Sequence, residues 1–346
     1  MKLKTLLLGS AAALIAVTGA RAADAVVAEP ENVDYVRVCD LYGAGFFYIP
    51  GTETCLGFSG YVRTDITFND NDEAEDTSRW DYRVRMNVDA RNETDLGTLR
   101  SQIRFQADGN GGFNALGFQQ TGGAAVAGSV AQGDAFVGID RALISLGGFR
   151  TGYSDSYTTT VHGYGNPVEK YDGYYGYDQS IFADYTFEVA GFAATVGVQD
   201  SVGPTAAAGN NVNLDYYGGV AYSSDLFDVA ATYIYEDVAD EGAYKVSLGV
   251  KPLDGLFLKG WFVGDDGGDT YSVEGTGDYA WGVGASYAVL DNVAVYAAYT
   301  DVDEGAEAFT TIGMRYDPVP GLSMRPEVQL REDTGQSYSL RLYRNW

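Results

Sequence analysis

The chain has 346 residues, a formal net charge of -26 and an isoelectric point near 4.1. An acid excess of this size excludes a nucleic-acid binder, whose footprint is basic. With two cysteines and one histidine (His162) it cannot build an all-Cys/His zinc site, and it has no Gly-x-Ser-x-Gly elbow, so neither catalysis, nor a metal, nor a cofactor is expected.

The chain opens as a secretory signal. Lys2 and Lys4 precede the short apolar run Leu6 to Val17, and Ala20-Arg21-Ala22 is a small-residue cleavage site. We read residues 1–22 as the signal peptide and 23–346 as the mature domain. No later stretch approaches the ~20 apolar residues of a spanning helix. A hydropathy plot would therefore read the mature chain as soluble, but barrel strands turn only every second residue to lipid and escape such a plot. Residues 23–32 (ADAVVAEPEN) read as a loose polar start. Cys39 and Cys55 flank the segment YGAGFFYIPGTET. In a secreted chain they read as an oxidised pair closing a short loop; two buried free thiols are the other reading.

From Phe58 the chain alternates. Phe58, Gly60, Val62, Thr64, Ile66 and Phe68 fall on one face; Tyr61, Arg63, Asp65 and Thr67 fall on the other. Trp80, Tyr82, Val84, Met86 and Val88 then alternate with Asp81, Arg83, Arg85, Asn87 and Asp89. Leu99, Ser101, Ile103 and Phe105 alternate with Arg100, Gln102, Arg104 and Gln106. A period of two with one apolar and one charged face predicts strands half buried in something apolar. Further strands are expected at 133–146, 149–153, 181–189, 192–199, 216–222, 227–235, 244–250, 256–263, 281–287, 293–299, 309–316 and 322–330. Short turns, such as Ala190-Gly191, alternate with longer acidic loops at 69–78, 199–213, 236–242, 265–278, 301–307 and 331–336. The Gly/Ala-rich stretch 109–132 reads as a long loop or an extra hairpin. The last strand, SYSLRLYRNW, places Tyr338, Leu340, Leu342 and Trp346 opposite Ser339, Arg341, Tyr343 and Asn345. The expected fold is all-β: a transmembrane antiparallel barrel of about sixteen strands, with its last strand closing onto its first. A secreted β-sandwich is the alternative.

One stretch breaks the alternation. Ser154 to Tyr177 (SDSYTTTVHGYGNPVEKYDGYYGY) is rich in Gly and Tyr and carries Asp155, Glu169 and Asp172. A structureless segment this long inside a compact domain points to a functional loop; in a closed tube it is expected to fold inward and narrow the lumen. On the polar face near the closure lie Arg63, Arg83, Arg85, Arg100 and Arg104 from the first strands, and Arg325, Arg331 and Arg341 from the last. They are expected to form one basic wall facing the acids of the loop. The plainer reading is that they pair with Asp65, Asp81, Asp89 and Glu327. Opposed charge across a narrow passage orients polar solutes and disfavours apolar ones. The outer acidic residues, DNDEAED (Asn69 to Asp76) with Asp265, Asp266, Asp269, Asp301, Asp303 and Glu304, read as solvated charge at the mouth, or as sites for divalent cations bridging to lipopolysaccharide. His162 reads as an ordinary polar loop residue.

VRVCDLYGAGFFYIPGTETCLGFSGYVR (Val36 to Arg63), FRTGYSDSYTT (Phe149 to Thr159) and RPEVQLRED (Arg325 to Asp333) resemble segments of the alphaproteobacterial, Rhizobiales-type general porins. The resemblance covers essentially the whole mature chain. It implies a homotrimer of sixteen-stranded barrels in outer-membrane lipid, passive diffusion of small hydrophilic solutes and ions, and a third loop, here 154–177, folded into the pore. It also implies assembly by the barrel assembly machinery through the last strand, which departs from the usual terminal Phe with Trp346. Two other functions fit the same pattern: a channel selective for anions or sugars, and a non-conducting surface protein or adhesin carried on a plugged barrel.

Overall fold

The structure is a computed structural model that describes residues 37–70, 75–110, 137–200, 214–237, 240–265, 278–303 and 307–346. The expected signal peptide, the start at 23–32, most of 109–132 and much of the acidic loops lie outside the described residues. The alternating segments become strands β2 (Cys55–Asp70), β3 (Thr77–Thr94), β4 (Gly97–Asn110), β5 (Gly138–Leu146), β6 (Phe149–Asp155), β7 (Gln179–Val189), β8 (Phe192–Asp200) and β9 (Leu214–Ser223). They continue as β10 (Phe227–Glu236), β11 (Glu241–Leu253), β12 (Leu256–Asp265), β13 (Tyr279–Leu290), β14 (Val293–Val302), β15 (Phe309–Val319), β16 (Leu322–Arg331) and β17 (Gln336–Asn345). Each pairs antiparallel with the next. β17 returns to β2, from Gln336 opposite Asp70 to Asn345 opposite Tyr61, so sixteen strands form a closed barrel. A further short strand, β1 (Phe46–Tyr48), lies outside the closed set.

The faces of this sheet are inverted relative to a soluble protein. Phe68 and Trp80 are 54% and 59% exposed, while Asp65 and Thr67 are 3% and 6% exposed. Such an outward apolar band is stable only against lipid. Strands of ~9–11 tilted residues span the hydrocarbon. Most strands here meet that length, whereas β2 and β3 overshoot with 16 and 18 residues. The seven connections on one rim leave only two or three residues between strands, and the others are longer. At Ala190-Gly191 both residues have positive φ (49° and 82°), as a type I′ hairpin turn demands.

The overshoot of β2 creates an edge, and the chain covers it. Trp346 exchanges both backbone hydrogen bonds with Gly60, at 3.1 and 3.3 Å, and there β17 runs out. Below that point β1 takes over, with Phe46 opposite Gly57 and Tyr48 opposite Cys55. Gly57 must lack a side chain, because a Cβ there would lie 2.8 Å from the Phe46 ring. The Cys39–Cys55 disulfide joins residues 16 apart in sequence and staples the flap to β2. Arg91, held on Asp89 at 2.7 Å, lies over the rings of Tyr42 and Phe46 at 5.3 and 4.9 Å.

Replacing both cysteines with serine should destabilise the barrel by roughly 3 kcal/mol in the chain-entropy model for a loop this short. Urea unfolding of the refolded double variant, followed by tryptophan fluorescence, checks this. An unchanged midpoint would mean that β1 pairing alone seals the edge.

Candidate functional site: a loop inside the barrel

Residues 156–178, between β6 and β7, turn into the barrel. The segment starts as a one-turn helix, α1 (Tyr157–Thr160), whose N-cap Ser156 accepts from the Thr159 amide. Tyr157 packs among inward-facing Leu143, Phe182, Tyr217 and Ile234. The next residues are tied to one wall strand after another. His162 lies between Ser247 Oγ (2.7 Å) on β11 and Thr232 Oγ1 (3.0 Å) on β10. Lys259 on β12 donates to the carbonyls of His162, Gly163 and Tyr164 at 2.7, 3.0 and 2.9 Å. Asn166 donates to Thr300 Oγ1 (2.8 Å) on β14 and accepts from Trp261 Nε1 (2.9 Å) on β12. Pro167 lies against Gly284, where a Cβ would come within 2.7 Å of the ring.

The tip of the loop is held by one carboxylate. The amides of Glu169, Lys170 and Tyr171 all donate to Glu327 on β16, at 3.0, 3.2 and 2.8 Å, and the Tyr296 hydroxyl adds a fourth bond at 3.0 Å. Three consecutive amides pointing at one anion form a nest. Thr311 on β15 donates to the Tyr171 carbonyl (3.2 Å), Arg341 on β17 to the Glu169 carbonyl, and Lys170 Nζ to Thr67 on β2. On the return, Tyr174 and Tyr175 pack on Trp261, Val263, Ala280 and Val302. Lys245 donates to the Gly176 carbonyl. The loop therefore lines the inner wall from β10 round to β2. Among the described residues the hydrogen bonds of 156–178 to the wall run from β10 round to β2; the charged groups of Asp81 and Arg79 on β3 lie near Lys170, and that of Arg104 on β4 lies near Tyr164.

β3 and β4 carry Arg83, Arg85, Arg100 and Arg104, and the neighbouring β2, β17 and β16 add Arg63, Arg341 and Arg325. Arg63 faces Arg83 across the β2–β3 ladder. Arg63 lies 3.0 Å from Asp65, Arg83 pairs with Asp108, and Arg85 pairs with Asp140 at 3.2 Å. Arg104 reaches both Asp140 (3.2 Å) and Asp155 (3.4 Å). Arg341 pairs with Asp65 at 2.7 Å, and Arg325 with Glu169. Asp155 is the hub at the base of the loop. It takes Arg104 and Arg141 together with the hydroxyls of Tyr164 (2.9 Å) and Tyr177 (2.7 Å).

Three residues sit elsewhere than the sequence suggested. Arg100 shares Asp89 with Arg91 close to the short-turn rim and does not meet the loop. Arg331 ends β16 at the opposite rim, over the Phe309 ring at 6.0 Å. Asp172 turns into the loop: its carbonyl accepts from the Asn166 amide at 2.6 Å and its carboxyl bonds to Tyr175. Burial pushes that carboxyl up to about 6. His162 is not an ordinary surface residue either. Its ring is buried, and burial together with the Lys245 and Lys259 ammoniums pushes its pKa down to about 3.

A closed barrel with an apolar outside, a polar inside and a loop tied along the inner wall is a channel architecture, and the family comparison agrees. The family model described as "Porin subfamily" matches residues 24–343. The chain belongs to this porin family. It is 36% identical over 359 aligned positions to Porin Omp2a of Brucella ovis, covering 97% of this chain and 100% of that one. Porin Omp2b of Brucella abortus (strain 2308) is also 36% identical, covering 97% and 94%. Among solved structures, a variant of Rh. blastica porin aligns with a TM-score of 0.59 at 16% identity, covering 84% of this chain and all of that one. At that identity the likeness concerns the fold. This porin is thus an outer-membrane β-barrel forming a channel for passive diffusion of small hydrophilic solutes.

Several residues of the porin's lumen were not singled out from the sequence. Arg141 lies on β5 opposite Arg104. Beside it, Asp140 is the extra residue of a β-bulge between Arg104 and Phe105 and reaches Arg85, Arg104 and Gln179. A bulge re-aims a side chain that strict alternation would send to the other face. Arg150 with Asp184 (2.5 Å), Lys245 and Lys259 were missed as well. For Glu327 the sequence suggested only an arginine partner; in the structure it holds the loop tip.

Glu327→Ala should free the loop tip while the barrel still assembles. Hydrogen bonds to a charged group are worth ~1.5–3 kcal/mol, so exchange of the Glu169, Lys170 and Tyr171 amides should quicken on the order of 10- to 100-fold. Hydrogen exchange read by mass spectrometry on the loop peptide measures it.

Proposed function

We propose that the constriction of this porin lies between the loop and the wall of β3 and β4, with Arg83, Arg85 and Arg104 and the adjoining Arg63 of β2 on one side and Glu169 and Asp155 on the other, and with Arg325 and Arg341 beside the loop tip. The observation that carries the reading is the series of ties that holds residues 156–178 against the wall from β10 to β2 and, among the described residues, does not extend to β3 and β4. Asp172 has no part in lining the passage, and Arg100 acts further down, toward the short-turn rim.

Nearly every arginine of that wall has a carboxylate within ion-pair distance. Asp65 serves both Arg63 and Arg341, and Asp140 both Arg85 and Arg104, so the passage carries a transverse field and a positive charge that is only partly offset, which suits general diffusion with a mild preference for anions. We further read the chain as a transport protein without catalytic activity, matured by removal of residues 1–22, assembled as a homotrimer, and inserted by the barrel assembly machinery through the strand ending at Trp346. The family membership supports the trimer, and the Lys2/Lys4 start with the Ala20-Arg21-Ala22 site supports the cleavage. The acidic outer loops fit solvated charge facing lipopolysaccharide.

The decisive measurement is single-channel conductance in a planar bilayer, with the reversal potential taken in a salt gradient. Replacing Arg83 and Arg85 together with Ala leaves Asp108 and Asp140 less compensated. Each screened lumen charge acts with roughly 0.5–1 kcal/mol, so loss of two should raise the cation-to-anion permeability ratio roughly five- to thirtyfold. An assembled double variant with the parent's selectivity and conductance would place those arginines away from the constriction.

A further inference from the structure

We propose that His162, the only histidine in the chain, is a latch that holds the first half of the constriction loop against β10–β12 and that acid releases it. The proposal rests on the reading of residues 156–178 as the constriction loop, and its test separates the two.

The ring is wedged between the hydroxyls of Ser247 and Thr232, with a bond at each nitrogen and 8% of the residue exposed. A hydroxyl both donates and accepts, so these bonds suit imidazole and imidazolium alike. Charge therefore decides which form the latch holds. On β11, Lys245 is fixed by the Gly176 carbonyl; on β12, Lys259 is fixed by three loop carbonyls. Asp178, at the end of the loop, opposes Lys245, and Asp172 opposes Lys259. On β10, Asp228 borders the neighbouring cavity and lies 3.6 Å from Lys251. The β9 residues bordering that cavity, Ala221, Tyr222 and Ser223, are uncharged, as are the loop residues Thr160, Val161, Gly163, Asn166 and Pro167. A proton on His162 would thus add a third cation beside the buried Lys245 and the partly exposed Lys259, both tied to loop carbonyls, with Asp228 also near Lys259.

The site also has room to give. A cavity of about 370 Å³ lies against the ring, between Thr160–Gly163 on one side and Ala230 and Phe257 on the other. The segment can shift into this space at the cost of the contact Val161 makes with the cluster around Tyr157. Tyr164 would move with it, and its hydroxyl is bonded to Asp155, the partner of Arg104 and Arg141. Release of the latch therefore disturbs the acid–arginine contact at the edge of the passage and favours a state of lower conductance.

The direction with pH follows from linkage. The latched ring has its pKa held down to about 3, against an ordinary value of 6.5. The latch is at full strength above about pH 6.5. As pH falls below that value, the released state gains roughly tenfold per pH unit until the latched ring itself titrates.

Two measurements test it. Imidazole NMR of untagged, isotope-labelled barrel in detergent gives one histidine signal without assignment. It should stay neutral to below pH 4; a midpoint near 6.5 would overturn the latch whether or not the protein conducts. Single-channel recording from pH 7 to 4.5 should show a reduced-conductance state whose occupancy grows by about tenfold per pH unit. His162→Gln, which hydrogen-bonds but does not titrate, should show no such growth, and Ser247→Ala should show the state already at pH 7. The same pH dependence in parent and His162→Gln would overturn the proposal. A neutral ring in a barrel that never conducts would leave the buried ring as described and refute the channel reading on which its gating role depends.

Discussion

Lipid offers no hydrogen bonds, and that constraint organises this molecule. Every backbone N–H and C=O at membrane depth must find a partner within the protein, and for a sheet this means closure. The closing pair β17–β2 meets the demand for the barrel proper. At the short-turn rim β2 continues beyond the end of β17, and the same demand reappears as an open edge. Trp346, β1 and the Cys39–Cys55 bridge cover it in turn. The flap is thus the consequence of a strand longer than its neighbour, and the disulfide keeps the short β1 in place, since three residues of pairing hold weakly alone.

Closure produces a second problem, which the loop answers. With apolar side chains facing lipid, the inner wall collects Thr, Ser, Asn, Asp, Lys and Arg, and a buried polar group without a partner is costly. Residues 156–178 bring in backbone groups as well as side chains. Glu327 finds three amides, Lys245 and Lys259 find carbonyls, and Thr300 and Thr311 find Asn166 and Tyr171. Apolar contact is concentrated in two patches, around Tyr157 and around Tyr174 and Tyr175, with Pro167 against Gly284 besides. Close approach needs missing side chains at Gly284 and at Gly173, where φ is +105° and a Cβ would meet Trp261 at 2.7 Å. The loop is therefore a structural lining of the wall to which it is tied.

The barrel was legible in the sequence because period-two alternation is a local signal. Phe58 to Phe68 and Trp80 to Val88 declare their faces without reference to any other strand, and the register of β2, β3 and β4 follows. The inward loop was legible by contrast, as a long segment where alternation stops. What escaped depends on distant partners or on a local break in the period. His162 is held by residues 70 and 85 positions away, and nothing around it in the chain marks it as buried. Asp140 enters the lumen through a bulge that a period of two cannot show. Asp172 looked like a lumen acid because it is charged and sits in the loop, yet the loop turns it toward its own backbone. β1 is only three residues long, and the pattern of FFY alone does not distinguish a strand from a turn.

The choice of arginine on the inner wall follows from the same electrostatics. A guanidinium keeps its charge when partly desolvated, and its planar fork binds a carboxylate through two parallel bonds. Arg150 on Asp184 and Arg91 on Asp89 show both bonds. A lysine in such a place gains no second bond and gives up its proton more readily. Paired in this way, the arginines keep fixed positions, and the wall presents ordered dipoles with part of its positive charge offset. An unpaired arginine row would hold anions and slow their exit, since conduction needs binding weak enough to release. The carboxylates of Asp65, Asp108, Asp140 and Asp155 prevent that. In the proposed passage they belong to the wall as much as the arginines, because they offset part of its positive charge.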